Sequence, residues 1–452
     1  MTDDFLKLVG SRILSELNDL KRTPEACATE VGMDAGKLNS ILSGDCKKEE
    51  TYELINKIGL SYPIDVSDLH LIEDDCKNGV RIMREEESKE TSRIFDRKDK
   101  TGERTDYYDY RDTAMSKLSG FKPEWIKELR YVENSDPNNL DVAYNNGHFM
   151  HQMTFFIGPV NFYYEVNGKR YCEEMNTGDS NYITPFWPHS FTNRSKEDEA
   201  LIIAVTFGGD ISRAQKEFYA LGERAIEGFT LDYRNHNKAV SQLIKQHMDN
   251  ERISLESLRD LDGTIDDRIL DENQDKSFED LQKIANVLNI EISDLMIPDY
   301  KPNEEVVVVK RKDEEEGYFY PNAENKNYRL HPLARSSKMP FMKGFEIEVL
   351  SKEKNLENGF YNSLHTYVYN YGDSDLDFSW IHNGETFNDI LRKGDSMYIQ
   401  PFIRHAFSNN GEENGRIATL GISGAINLST QKELSYLPSG ERVANETKKW
   451  FD

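Results

Sequence analysis

His148 and Gln152 stand four residues apart, and His189 closes a Pro185-x-x-x-His189 segment further along the chain. In an extended strand, positions i and i+4 project to the same face, so the first two side chains can reach one point. Two imidazoles and one oxygen donor suit a divalent transition metal and leave coordination positions open for other molecules. The third donor is an amide where a carboxylate is commoner, which leaves such a centre one unit more positive. A lone histidine at a strand end is ordinarily a hydrogen-bonded structural residue, so the assignment needs a second observation. His151, beside Gln152, is expected to face the other way as a bystander.

That observation is a repeat. Gly178, Asp179, Ser180, Tyr182, Ile183, Pro185, Phe186, His189, Phe191 and Asn193 recur 216 positions later. The matching residues are Gly394, Asp395, Ser396, Tyr398, Ile399, Pro401, Phe402, His405, Phe407 and Asn409. Upstream, Phe162–Tyr171 matches Phe378–Phe387 at the same offset, each with an Asn-Gly pair that reads as a tight hairpin turn. Asn145-x-x-His148 aligns with Asn362-x-x-His365 at an offset of 217, which implies one insertion or deletion. In that alignment the second copy keeps His365 and His405 but has Tyr369 where the first has Gln152, so its site is expected to be degenerate. Strands paired around inward-facing histidines suit a small β-barrel or jelly roll.

A helical block precedes each β unit. Thr23-Pro24-Glu25 reads as a helix start, with threonine as cap and proline at the first helical position. Breaks follow at Gly32 and Gly44, and further starts are expected at Ser254 and Ser277. Both blocks have the pattern of a helix-turn-helix bundle. The expected fold is therefore α+β, a tandem duplication of helical bundle plus barrel. The segments are 1–75 (helical), 76–230 (first barrel), 231–300 (helical) and 301–452 (second barrel).

The chain has 452 residues, 37% of them hydrophobic and 11% aromatic, enough for several packed cores. No apolar run approaches the ~18–20 residues that a membrane span needs. The acidic start MTDDF does not resemble a signal peptide, so a cytoplasmic protein is expected. Cys27, Cys46, Cys76 and Cys172 form no Cys-x-x-Cys pair, which leaves zinc ribbons and iron–sulfur clusters without support. The net charge of −25 opposes binding to a phosphate backbone. Residues 1–75 alone hold eight Lys or Arg against sixteen Asp or Glu. The helical blocks are therefore expected to cover the barrels or mediate self-assembly rather than to bind nucleic acid.

A helix-turn-helix block fused to a cupin, carrying Asn145-x-x-His148-x-x-x-Gln152 and Pro185-x-x-x-His189, resembles the phosphonate-modifying non-haem iron oxygenases over nearly the whole chain. That group includes hydroxypropylphosphonate epoxidase, hydroxyethylphosphonate dioxygenase and methylphosphonate synthase; duplication of the unit is similar to the last two. The epoxidase carries its carboxylate at the position of Gln152, and the dioxygenase at that of Ile183. Neither carboxylate is present here, so the ligand set looks like that of methylphosphonate synthase, with Ile183 marking specificity.

The resemblance implies Fe(II) at His148, Gln152 and His189. It also implies O2-dependent cleavage of 2-hydroxyethylphosphonate to methylphosphonate and bicarbonate or CO2, with no need for 2-oxoglutarate. Asn145 and Tyr110 match the family's phosphonate-binding amide and phenol, and Lys21 its lysine from the helical domain. The family's arginine has no gap-free equivalent; Arg104, ahead of Lys100, is the expected substitute. Rival readings are a dioxygenase yielding hydroxymethylphosphonate and formate, a helix-turn-helix–cupin transcription regulator, and a cupin isomerase or sugar-binding protein without redox chemistry.

Overall fold

The computed structural model describes residues 2–301 and 304–444. The first helical block holds helices Thr2–Asp19, Pro24–Glu30, Ala35–Ser43 and Lys48–Ser61, then a 3-10 turn at Val66–Leu69. Thr23 caps the second of them by accepting a hydrogen bond from Ala26 N, and Gly44 ends the third with φ 81°. In the second block the helices are His236–Glu251, Leu255–Leu261 and Phe278–Leu288, the last two capped by Ser254 and Ser277. A 3-10 turn at Asp267–Leu270 lies between them. Helices Asp210–Leu221 and Glu223–Phe229, within the segment expected to be the first barrel, lead into this block.

The strands of the first half are β1 (Val80–Met83), β2 (Arg93–Lys98), β3 (Arg104–Asp112), β4 (Phe121–Glu128), β5 (His151–Ile157), β6 (Val160–Val166), β7 (Lys169–Met175), β8 (Ser180–Ile183), β9 (His189–Asn193) and β10 (Leu201–Phe207). Those of the second are β11 (Val307–Lys310), β12 (Tyr318–Pro321), β13 (Lys326–Pro332), β14 (Met342–Val349), β15 (His365–Asn370), β16 (Leu376–His382), β17 (Glu385–Leu391), β18 (Ser396–Ile399), β19 (Arg404–Asn409) and β20 (Gly415–Ile422). The Asn-Gly turns are left-handed at both residues, at Asn167-Gly168 and Asn383-Gly384. Each half stacks a seven-stranded antiparallel sheet on a three-stranded one.

The two halves exchange edge strands. The first large sheet runs β11-β8-β5-β10-β4-β3-β2, and the second β1-β18-β15-β20-β14-β13-β12. Boundaries at 76 and 301 therefore assign β1 and β11 to the wrong sheets. The repeated Gly-Asp pair explains how the exchanged arms are held. Asp179 accepts from Lys312 N at 2.9 Å and pairs with Arg311, just past β11. Asp395 accepts from Glu85 N at 3.0 Å and pairs with Arg84 at 2.8 Å, just past β1. A Cβ on Gly178 would lie 2.5 Å from Lys312 Cδ, and one on Gly394 2.6 Å from Glu85 Cγ. Glycine is favoured there chiefly because both residues have positive φ, 96° at Gly178 and 82° at Gly394, and the arm's side chains would have to shift for any Cβ.

Strands buried on both faces read as apolar runs, and each alternates between two cores. Met153, Phe155 and Tyr182 meet Tyr367, Tyr369 and Tyr398 where the two large sheets pack together. The intervening residues face inward: Phe156 and Ile183 in the first half, Val368 and Ile399 in the second. Gln152 and Thr154 also face inward, since they alternate with Met153 and Phe155.

Candidate metal centre

His148 precedes β5 rather than lying in it, across a bend at Phe149-Met150. The bend, not strand periodicity, brings His148 Nε2 to 3.1 Å from Gln152 Oε1. His189 opens β9 in the opposing sheet, with its ring 5.1 Å from that of His148 and nearly perpendicular to it. The tautomers are set by backbone carbonyls. His148 Nδ1 donates to Met150 O and His189 Nδ1 to Trp187 O, both at 2.9 Å. A carbonyl only accepts, so each Nδ1 carries a proton, and a ring in its neutral form has its lone pair at Nε2.

Gln152 is oriented in the same sense. Its amide nitrogen donates to Thr154 Oγ1 at 2.9 Å, which leaves Oε1 toward the histidine. Two acceptors thus face each other at 3.1 Å with no proton between them when His148 is neutral, an arrangement a divalent cation satisfies. Burial, with a smaller contribution from His148, pushes the His189 imidazole down to about 4, so it stays neutral and fit to ligate. The residues present fit a two-histidine, one-amide centre with open positions.

The centre opens on a cavity of about 120 Å³ lined by Arg97, Tyr110, Glu124, Asn145 and Thr206 as well as the three donors. Asn145 is pinned by its oxygen, which accepts from Gly147 N and His189 N, so its amide nitrogen lies 3.1 Å from His189 Nε2. Tyr107 and Tyr108 spend their hydroxyls on Ser190 and on backbone N–H groups. Among the described residues Tyr110 has no such partner, and it faces the cavity. Ile183 is buried and sits directly opposite Gln152 in the β5–β8 register. His151 faces away as expected, hydrogen-bonded to Tyr182 Oη at 2.8 Å.

Two expected residues are not among those that line this cavity. Arg104 is exposed and forms a fork with Asp96 on β2. Lys21 lies in the exposed turn between the first two helices, and the arm following its block joins the second sheet, not the first. Arg97 occupies the wall instead. A register shift between Phe95 and Asp96 makes Tyr107 an extra residue in β3 and turns both Tyr107 and Tyr108 inward. Arg104 shares β3 with Tyr110, whereas the cation at the cavity, Arg97, comes from the neighbouring strand β2. Glu124 was also missed; burial raises its carboxyl above the usual range.

The second half differs from the expected alignment. His365 donates to or accepts from Tyr398 Oη and stacks on that ring, as His151 does with Tyr182. Phe402 N bonds to Asn362 O just as Phe186 N bonds to His148 O, and Thr366 lies opposite Ile399 as Gln152 lies opposite Ile183. The counterparts of His148, His151 and Gln152 are therefore Asn362, His365 and Thr366, at an offset of 214 rather than 217. Tyr369 packs between the sheets. Only His405 keeps a ligand position.

The chain is 40% identical to methylphosphonate synthase from Nitrosopumilus maritimus (strain SCM1) over 461 residues, covering 100% of this chain and 97% of that protein. It belongs to the methylphosphonate synthase family. Among solved structures, family resemblance extends to Streptomyces albus HEPD with 2-hydroxyethylphosphonate and Fe(II) bound, at TM-score 0.88 and 30% identity, covering 98% of this chain and 99% of that one. A single-residue variant of 2-hydroxyethylphosphonate dioxygenase shares the fold at TM-score 0.72 and 16% identity, covering 97% and 99%. No family model matches the chain. Among the described residues no helix is long and apolar enough to cross a membrane.

Proposed function

We propose that this protein cleaves the C–C bond of 2-hydroxyethylphosphonate in an Fe(II)- and O2-dependent reaction, giving methylphosphonate and bicarbonate, within the first of two cupin units. The atoms balance without a co-reductant: 2-hydroxyethylphosphonic acid plus O2 equals methylphosphonic acid plus carbonic acid. The observation that carries the reading is the pair of facing acceptors, His148 Nε2 and Gln152 Oε1, beside the neutral His189. Iron bound there supplies the activation of O2. His148, Gln152 and His189 would hold it, and Arg97, Asn145 and Tyr110 would grip the phosphonate, a dianion that needs fixed donors. The oxygen of Asn145 is tied down, so its amide nitrogen faces the centre, where it donates to His189 Nε2 and is released to substrate once a cation takes that lone pair. Phe191 and Ile126 keep the far wall apolar.

Ile183 opposite Gln152 favours the synthase over the dioxygenase outcome, because no carboxylate enters at that register position. Full-length identity of 40% to a methylphosphonate synthase supports the same choice. The test is phosphorus NMR of the ferrous protein with 2-hydroxyethylphosphonate in air. A methylphosphonate resonance is expected. Hydroxymethylphosphonate with formate would move the protein to the dioxygenase reaction, and unchanged substrate would remove both.

A further inference from the structure

The second half retains a hollow where the first half has its metal centre, but with different chemistry. A cavity of about 180 Å³ is lined by Leu330, Phe345, Ile347, Val368 and Phe407, with Lys343, Asn362, Thr366 and His405 among the remaining walls. Replacement of the His148 and Gln152 positions by Asn362 and Thr366 removes two donors of a metal site. It does not close the space. Protein interiors are otherwise close-packed, and an apolar cavity of ~150 Å³ holds a benzene-sized molecule.

Three polar groups on this wall are uncommitted among the described residues. Lys343 makes no ion pair, and its strand position opposite Gly421 leaves no neighbouring side chain across β20. Asn362 uses its oxygen to accept from Leu364 N, and its amide nitrogen has no partner. His405 is 4% exposed and donates Nδ1–H to Ile403 O, so its Nε2 is an unpartnered acceptor in the cavity wall. The chain carries a net charge of −25, so an unpaired lysine over an apolar hollow marks a local site for negative charge.

We propose that this cavity binds a small amphiphilic organic anion, a carboxylate on a short alkyl chain of about six to eight heavy atoms. The head group meets Lys343 and Asn362, and the chain lies against Ile347, Val368 and Phe407. The site keeps only one of the three metal donors and takes no part in phosphonate cleavage, so it stands apart from the function proposed above.

The test is calorimetric titration of the full-length ferrous protein with hexanoate, hexan-1-ol and propylphosphonate. Hexanoate is expected to bind, with hexan-1-ol weaker for want of charge. Lys343→Met should weaken hexanoate roughly tenfold, the scale of one lost charge-assisted hydrogen bond, and should leave hexan-1-ol unchanged. Thr419, on β20, also lines the cavity, and Thr419→Phe should abolish both by filling the space; Lys343, nearer the surface, gives an independent reading should that variant not fold. Turnover of 2-hydroxyethylphosphonate by Lys343→Met should match the parent. Absence of hexanoate binding, equal binding of hexan-1-ol, or hexanoate binding insensitive to Lys343→Met would each overturn the proposal. Tighter binding of propylphosphonate than hexanoate would overturn the carboxylate assignment.

Discussion

Thr154 Oγ1 accepts the amide hydrogen of Gln152 at 2.9 Å, and this one contact decides which end of the glutamine faces the histidines. Both side chains project from β5 to the same face, two residues apart. Thr154→Val removes the acceptor while keeping the shape, so the amide loses its reason to present oxygen. Iron affinity is expected to fall about tenfold to hundredfold, as when other partners of metal ligands are removed. Ferrous titration measures it. An unchanged affinity would mean that the hydroxyl does not orient Gln152.

Gln152→Glu adds a negative charge to the centre without changing its reach. The metal then sits in a field one unit less positive, and charge at the metal governs the local redox and proton chemistry. The variant is expected to turn over with its products shifted from methylphosphonate toward hydroxymethylphosphonate and formate. Phosphorus NMR reads the ratio directly. Intact turnover at the parent ratio would count against an electrostatic role for the neutral ligand.

Arg97 and Arg104 provide a paired comparison. Arg97 lines the cavity, whereas Arg104 is an exposed partner of Asp96. Arg97→Met should reduce kcat/KM roughly tenfold to hundredfold, chiefly through KM, because a charge-assisted contact to the phosphonate is lost. Arg104→Met should stay within about twofold, since exposed ion pairs contribute little. Steady-state kinetics with 2-hydroxyethylphosphonate separate the two; equal effects would contradict the cavity assignment.

Stability of the metal-free protein should fall as pH drops from about 6.5 toward 4. Burial depresses His189 and His405 from 6.5 to about 4, so the unfolded chain takes up protons in that window while the folded chain does not. The stability is fully present above 6.5 and is lost as pH approaches 4, by up to about 1.4 kcal/mol per pH unit for each histidine. Urea unfolding at stepped pH measures it. His405→Gln should flatten the dependence, and a parent curve already flat across the window would refute the assignment.

Asp395→Ala should detach the exchanged arm. Asp395 is 1% exposed and receives Arg84, Glu85 N and Arg392 N. Its loss leaves the Glu85 and Arg392 N–H groups without their acceptor, while Arg84 keeps its pair with Asp389, a change that costs about 1–3 kcal/mol. Limited proteolysis should then cut within 70–90 before any other segment. Protection there equal to that of the parent would show that strand pairing alone holds β1.

By itself the sequence determined the duplication, the hairpin turns, the helix caps and the three candidate donors, because these depend on residue types at short spacing. Asn-Gly fixes a turn, Thr-Pro opens a helix, and His148, Gln152 and His189 carry their donor atoms wherever the chain goes. Tertiary structure alone decided which strands complete each sheet, because β1 and β11 cross between halves through contacts to Asp395 and Asp179 far away in sequence. It also decided that Arg97 rather than Arg104 faces the cavity, since a one-residue bulge reverses which side chains point inward. The counterparts of His148 and Gln152 in the second half, Asn362 and Thr366, were settled by hydrogen-bond register, which a repeat with an unplaced gap does not carry.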